Sequence, residues 1–294
     1  MNRFLSLDFV AQALRIALPY LAASMGGIWS ERAGVPNVAL EGTILVSALG
    51  TIAGTTSTGS AIGGLAIGVA SGVALQLTHA AAVLYGRANA IVSGLALNLL
   101  ASGGTRFLLR ALYDSSSNSP SIAGVGGRHE GSLVSATLLD PMTWLVALVV
   151  VGTVVGLERT RTGLRIRAVG EHPEAAESVG VSVHRTRLLA LMLAGGTAAL
   201  AGAWLAFDQH QFSSGMSGGR GFIALAIVII SGWRPLPAAG FALLFGVAEA
   251  AQIVLQDQKA VAHQVVQALP YLLTLVVLAG VRSRSRPPAA LGRT

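Results

Sequence analysis

The chain has 294 residues, of which 53% are hydrophobic and only 11% charged, with a mean hydropathy of +0.66 and a formal net charge of +7. A soluble fold carries roughly 25% charged residues and could not dress its surface with so few, whereas apolar runs of about 17 to 24 residues have the length of bilayer-spanning helices. The absence of cysteine excludes disulfides, thiolate metal sites and a thiol nucleophile, and the positive charge, borne by 19 arginines and one lysine mainly at the ends of apolar runs, reads as membrane topology with no nucleic-acid partner.

Nine apolar segments follow in chain order, at about 10–29, 38–54, 61–84, 91–109, 142–157, 188–207, 222–232, 235–256 and 264–281. They predict an all-α integral membrane protein, a polytopic helical bundle of about nine membrane segments in a single transmembrane domain over residues 1–294. The first segment is read as a retained span, because Asp8 and Arg15 interrupt the apolar region a signal peptide needs. Segment 222–232 has 11 residues and covers about 16 Å as a helix, against a hydrocarbon core of about 30 Å. It is therefore a short or broken helix, or it borrows the Gly-rich stretch before it.

Arginines set the orientation. Arg159, Arg161, Arg165, Arg167, Arg185 and Arg187 mark 158–187 as a cytoplasmic loop, and Arg282, Arg284, Arg286 and Arg293 mark 282–294 as a basic cytoplasmic tail. Counting spans back from the loop places SERAGVPN (30–37) inside and the N-terminus outside, although Arg3 and Arg15 oppose the latter. Gly64, Gly68 and Gly72, Gly50 with Gly54, and Gly152 with Gly156 recur every fourth residue, a spacing that lets helix backbones approach closely. Trp29, Trp144, Trp204 and Trp233 near segment ends read as interfacial anchors.

Polar residues within the spans carry more information, since a charge at the bilayer centre costs at least about 2.5–3.5 kcal/mol. Glu41 lies just inside the second span, after Asn37; Glu249, Gln252 and Gln256 share one helix face, and Asn98, Ser102 and Thr105 another. Either these faces line a polar translocation path, with Asn37, Glu41, Asn98, Glu249 and Gln252 as its candidates, or they hold helices together by hydrogen bonds. Catalytic patterns fail. With Lys259 as the only lysine there is no phosphate cradle for ATP, and the histidines show no metal-binding spacing. Gly215-Met216-Ser217-Gly218-Gly219 fits the nucleophile-elbow pattern but lacks the strand it needs, so GMSGGRG reads as a flexible lead-in to the short segment.

In the 158–187 loop, Pro173-Glu174-Ala175-Ala176-Glu177 reads as a short helix with proline in its first turn, acids near its N-terminus and Gly180 at its end. Two helical turns have little stability in water, and with no soluble domain on the chain the docking surface is expected on another protein.

The stretch RIRAVGEHPEAAESVGVSV (165–183) resembles the coupling loop of permease subunits in ATP-binding-cassette (ABC) importers, of the nucleoside and simple-sugar branch related to branched-chain amino acid permeases. SERAGVPNVALEG (30–42), NAIVSGLALNLLASGGTRFLLR (89–110) and GRGFIALAIVIISGWRPLPAAGFALLFGVAEAAQIVLQ (219–256) resemble further motifs of that branch, in the same order. The resemblance implies coupling to an ATPase through Arg167, Gly170, Glu171, Pro173, Glu174, Ala175, Ala176 and Gly180. It implies three protein partners: a second permease subunit, a cytoplasmic ABC ATPase and an extracytoplasmic substrate-binding lipoprotein. It also implies inverted repeats, a multi-pass place in the plasma membrane, no enzymatic activity, and no cofactor on this chain, ATP and Mg belonging to the partner ATPase. The expected solute is small, polar and neutral, a nucleoside or alternatively a simple sugar such as ribose. Trp-Arg-Pro-Leu-Pro at 233–237 and the long outer loop 110–141 depart from that branch. A rival reading, a proton-coupled secondary transporter, would use Glu41 and Glu249 as proton relays.

Overall fold

At the centre of the computed structural model, which describes residues 6–125, 132–256 and 286–293, lie the long helices α1 (Leu7–Arg32) and α9 (Val183–Gln209). Both are rich in alanine and glycine and buried on every side over much of their length, α1 from Ala17 to Glu31 and α9 from Ala198 to Phe207. Small side chains allow this: a Cβ on Gly26 would come within 2.8 Å of the Ala194 carbonyl oxygen. Around this pair stand α2 (Leu40–Thr58), α3 (Ala61–Ala80, continued by a π-helical turn, Ala81–Tyr85), α4 (Ala90–Tyr113), α5 (Leu133–Leu139), α6 (Pro141–Arg159), α10 (Arg220–Ile230) and α11 (Pro235–Gln256). Two short helices, α7 (Arg161–Glu171) and α8 (Pro173–Ser178), join α6 to α9. Side-chain oxygens start most of the helices: Ser6, Ser60, Asn89, Ser132, Asp140, Thr160 and Ser182 each accept a backbone N–H of the first turn.

Among the described residues six helices are long and apolar enough to cross a bilayer: α1, α3 with its π-turn, α4, α6, α9 and α11. Two more of the nine expected segments are helices that do not meet that measure, α2 and the segment expected to be short or broken, α10, while the segment expected at 264–281 lies outside the described residues. Helix α2 has 19 residues but too polar a composition, because Thr43, Ser47, Thr51 and Thr55 rise along it at four-residue steps. Each of these hydroxyls donates to a backbone carbonyl, Ser47 to that of Ala199 on α9 and the threonines to their own helix. Helix α10 has 11 residues, about 16 Å, and is a half-length helix.

The glycine row of α3 lies against the hydroxyl stripe of α2. A Cβ on Gly64 would overlap Thr55 Oγ1 and stand 2.7 Å from the Thr51 carbonyl oxygen, one on Gly68 would overlap Thr51 Oγ1, and one on Gly72 would press on Ala199. Gly64→Leu is therefore expected to lower stability by about 1–3 kcal/mol or more through overpacking, read as a drop in the unfolding midpoint in detergent, whereas Gly152→Leu, at a position with nothing within 4 Å, leaves it unchanged. The tryptophans require a correction. Trp29, Trp204 and Trp233 are buried, and only Trp144, 61% exposed, faces outward as an anchor would.

The 158–187 segment is mostly helical. The proline-led helix and its glycine end appear as expected, α8 starting at Pro173 and the chain turning at Gly180 with φ +82°. Helix α7 was not foreseen, and the surface that orders it belongs to this chain: Gly163, Ile166, Val169 and Gly170 face inward, so closely that a Cβ on Gly170 would overlap the carbonyl oxygen of Arg32. Residues 286–293 lie across the same place, Ala290 N–H donating to the Gly170 carbonyl and Gly292 N–H to that of Gly34.

Candidate functional site

Two non-helical lead-ins approach the middle of the bundle from opposite ends. The first, residues 33–39, follows α1 and leads to α2. Irregular backbone at membrane depth is tolerated only where protein satisfies its polar groups, and here partners come from many elements. Arg187 Nε donates to the Ala33 carbonyl (3.2 Å), His79 Nε2 lies 3.3 Å from that of Pro36, and Asn98 Nδ2 donates to that of Val38 (2.8 Å). Asn37, fully buried, exchanges both amide hydrogen bonds with Gln76 of α3 at 3.2 and 3.1 Å. Asn98 also accepts the Gly42 N–H at 2.8 Å, tying α4 to the start of α2. Along α9, Arg187 touches the start of this lead-in while Ala199 meets Ser47, so the start of α2 lies roughly 10–15 Å, or about half a hydrocarbon core, inside the bundle.

The second lead-in, residues 210–219, follows the other end of α9 and is held by loop 117–122: Ser119 N–H donates to the Phe212 carbonyl at 2.9 Å, and Ser214 N–H to that of Ser117 at 2.8 Å. Arg106 of α4 donates to Ser214 Oγ (2.8 Å). Ser217 is buried within this turn, with no strand before it, so the nucleophile-elbow geometry is missing.

The lead-ins meet at Glu41. Its two carboxylate oxygens accept the N–H groups of Gly219 (2.9 Å) and Gly221 (2.7 Å), at the N-terminus of α10. Unpaired N–H groups and the helix dipole both favour an anion there. The approach is so close that a Cβ on Gly221 would overlap the Glu41 backbone, and Gly219 itself turns with φ +82°, a conformation glycine adopts without strain. Next to this junction Arg220 Nη2 donates to Glu249 Oε1 on α11 (2.7 Å), and the Tyr20 hydroxyl of α1 donates to Glu249 Oε2 (2.7 Å). Four helices thus place a cation and two carboxylates together inside the bundle, with charged side chains that keep only about a fifth of their surface exposed at the ion pair. Such a cluster can exchange hydrogen-bond partners without leaving an isolated charge in a medium of low dielectric.

Of the path candidates, Glu41 and Glu249 enter this cluster, and Asn37 and Asn98 brace the start of α2 one layer away. Gln252, a turn beyond Glu249 on α11, is half-buried. Sequence reasoning missed Arg220, Tyr20 and Gln76. Arginine between glycines at the head of an apolar run was a signal for the first; nothing local marked Tyr20.

A contact route leads from this cluster to α8. Trp233, in the turn after α10, donates its indole N–H to Glu31 Oε2 at 2.5 Å and accepts Arg32 Nε on its carbonyl at 2.7 Å. Arg32 lies 3.8 Å from Glu171, whose other oxygen accepts the Ala289 N–H, and α8 begins two residues later. Of the coupling candidates, Gly170 and Glu171 therefore sit on the joint with α1. Arg167 is half-buried on α7, Ala176 is the buried residue of α8, and Glu174, Ala175, Val179 and Gly180 stand exposed around it.

Residues 9–278 match the family described as "Branched-chain amino acid transport system / permease component". The chain is 32% identical to a guanosine ABC transporter permease protein of Bacillus subtilis, over 96% of this chain and 94% of that one. It is 31% identical to a nucleoside ABC transporter permease protein of Lactococcus lactis, over 96% and 95%, and 38% identical to a putative glucose ABC transporter permease of Haloferax volcanii, over 82% and 75%.

Proposed function

Because the chain belongs to the branched-chain amino acid transport system permease family, as an ABC transporter permease of the membrane, we propose that it forms the translocation path of an importer for nucleosides, moved by a separate ATPase that grips α8. The observation that carries this reading is the unbroken route from the exposed helix to the buried charges. Force on α8 acts on α7, whose Gly170 and Glu171 bear on Arg32; α1 holds the turn after α10 through Glu31 and Trp233; α10 presents Arg220 and the cap for Glu41. A shift of α10 by a fraction of a turn trades the Arg220–Glu249 pair for contacts with solute or water, and the path opens to one side at a time. Two lead-ins converging from opposite ends support the inverted-repeat reading. Asn98 holds Gly42 next to Glu41, Asn37 is paired with Gln76 one layer away and Gln252 stands a turn beyond Glu249, and we take all three as further lining of the path.

The partners are a second permease subunit, an ATPase on the α8 side, which we read as cytoplasmic together with the tail, and a substrate-binding lipoprotein at the far end. Nucleosides are favoured over sugars by the names of the relatives that align over nearly the whole chain. The proton-relay alternative fits less well, since both oxygens of Glu41 and of Glu249 already accept hydrogen bonds within the protein. Proteoliposomes holding the four-component complex are expected to take up labelled guanosine only with ATP on the α8 side, regardless of protonophore, and with competition by nucleosides but not by glucose or ribose. Uptake by this polypeptide alone, without nucleotide, would defeat the reading; competition by glucose in place of nucleosides would defeat the substrate assignment.

A further inference from the structure

At the α8 end of the bundle a concavity of about 300 Å³ opens between α7, the turn at Gly180 and Val181, and the start of α9. Thr162 and Arg165 contribute from α7, and Ser182, Arg185, Thr186 and Leu189 from the start of α9; no carboxylate lines it. Arg165 and Arg185 are exposed, and among the described residues neither guanidinium has a hydrogen bond or an acidic partner, unlike Arg15, Arg32 and Arg220, which pair with Asp208, Glu171 and Glu249. Two unpaired arginines from different helices, the hydroxyls of Thr162 and Ser182 and the start of a 27-residue helix thus surround one small volume, with Ser182 Oγ capping the Arg185 N–H and the Thr186 hydroxyl donating to the Ser182 carbonyl. That is the donor set of a phosphate site.

The surroundings select the kind of phosphate. Leu189, 41% exposed, forms the wall toward α9, and Met192, 40% exposed, continues the same face about one turn further, so an apolar track leads away from the cavity into the span. Tyr85, 67% exposed, stacks edge-on against His184 in the first turn of α9, with ring centroids 4.4 Å apart. An exposed amphipathic ring beside the end of a spanning helix marks headgroup depth. Leu164, next to Arg165, is 60% exposed as well. A soluble anion has no use for these apolar surfaces.

We propose that this cavity binds the phosphate of an anionic phospholipid, with an acyl chain lying along Leu189 and Met192. The site adjoins α8 but takes no part in the solute route, so it holds or fails independently of the transported substrate. A lipid bridging α7 and α9 steadies the element on which the ATPase pushes, and anionic lipid then sets how firmly α7 follows it.

Native mass spectrometry of the full complex, released from nanodiscs of phosphatidylglycerol and phosphatidylcholine, counts the lipid retained. The wild type is expected to keep phosphatidylglycerol in preference to phosphatidylcholine. Arg165→Gln/Arg185→Gln is expected to lose that preference by about tenfold or more, whereas the charge-matched Arg159→Gln/Arg161→Gln keeps it. Added inorganic phosphate leaves retention unchanged. Equal loss in both double variants would reduce the effect to general surface potential and overturn the site. Displacement of the lipid by inorganic phosphate would assign the cavity to a soluble anion, and undiminished retention in the Arg165/Arg185 variant would assign the lipid elsewhere; either overturns the proposal.

Discussion

Arg220→Ala is expected to abolish uptake by the assembled complex and to destabilise the chain by about 3 kcal/mol, the lower end of the range for an uncompensated buried charge. The lower end applies because the Arg220 and Glu249 side chains retain 21% and 20% of their surface, so water screens part of the charge left on Glu249. Glu249→Ala strands Arg220 in the same way. The informative variant is the double replacement Arg220→Met/Glu249→Leu. It removes both charges, so stability is expected to recover most of what either single change loses, short by roughly 1 kcal/mol for each further hydrogen bond given up, the one Arg220 Nη1 shares between the Met216 and Ser217 carbonyls and the one from Tyr20. Transport is not expected to recover with it if the pair separates and re-forms during the cycle as proposed, because packing cannot replace such a pair. Unfolding midpoints and guanosine uptake measured on all three variants separate the two roles. Additive losses of stability would show that the charges are not coupled, and normal uptake by the double variant would reduce them to scaffolding.

The sequence made the bundle and α8 legible because both are written in local terms. Spans appear as runs of apolar residues, and Pro173 and Gly180 punctuate a helix whatever surrounds them. Helix α7 escaped because its inward face is made of Gly163, Ile166, Val169 and Gly170, and two glycines in that stripe look like loop when exposed Arg161, Arg165 and half-buried Arg167 intervene. The same logic misplaced the tryptophans. Position near a segment end is compatible with an interfacial ring or with one turned inward to a partner such as Thr153, which accepts the Trp29 indole N–H at 3.1 Å. The polar junction was half legible: an acid in an apolar run requires a partner, which flagged Glu41 and Glu249. Who the partner is depends on contacts 178 residues apart between Glu41 and Gly219, and no periodicity carries that. Helix α2 illustrates the converse, since its hydroxyls lower its hydropathy while its burial against α3 and α9 removes the need for a lipid-facing surface.

Gly170→Val is expected to uncouple hydrolysis from transport. Any Cβ at this position overlaps the Arg32 carbonyl oxygen and stands 3.3 Å from Gly34 N, both backbone atoms that cannot swing aside, so α7 must lift from α1. Overpacking of this kind costs about 1–3 kcal/mol, which here is relieved locally by loss of the Ala290–Gly170 hydrogen bond and the 3.8 Å Arg32–Glu171 contact without disturbing the core around α1 and α9. The unfolding midpoint should therefore fall by no more than that cost implies, with the chain still folded. ATPase activity of the complex persists because α8 still presents its exposed face, but it loses its stimulation by loaded binding protein, and uptake per ATP falls at least about tenfold, as a joint weakened by 1.4 kcal/mol predicts. Gly180→Ala supplies the contrast. Gly180 has open space around it and strains only its own backbone at φ +82°, at a cost of roughly 1 kcal/mol in the turn after α8. It loosens the end of α8 and leaves the joint to α1 intact. If Gly170→Val transports with wild-type stoichiometry, motion of α8 reaches the membrane by some path other than Arg32, and the route through Trp233 to Arg220 is not the one used.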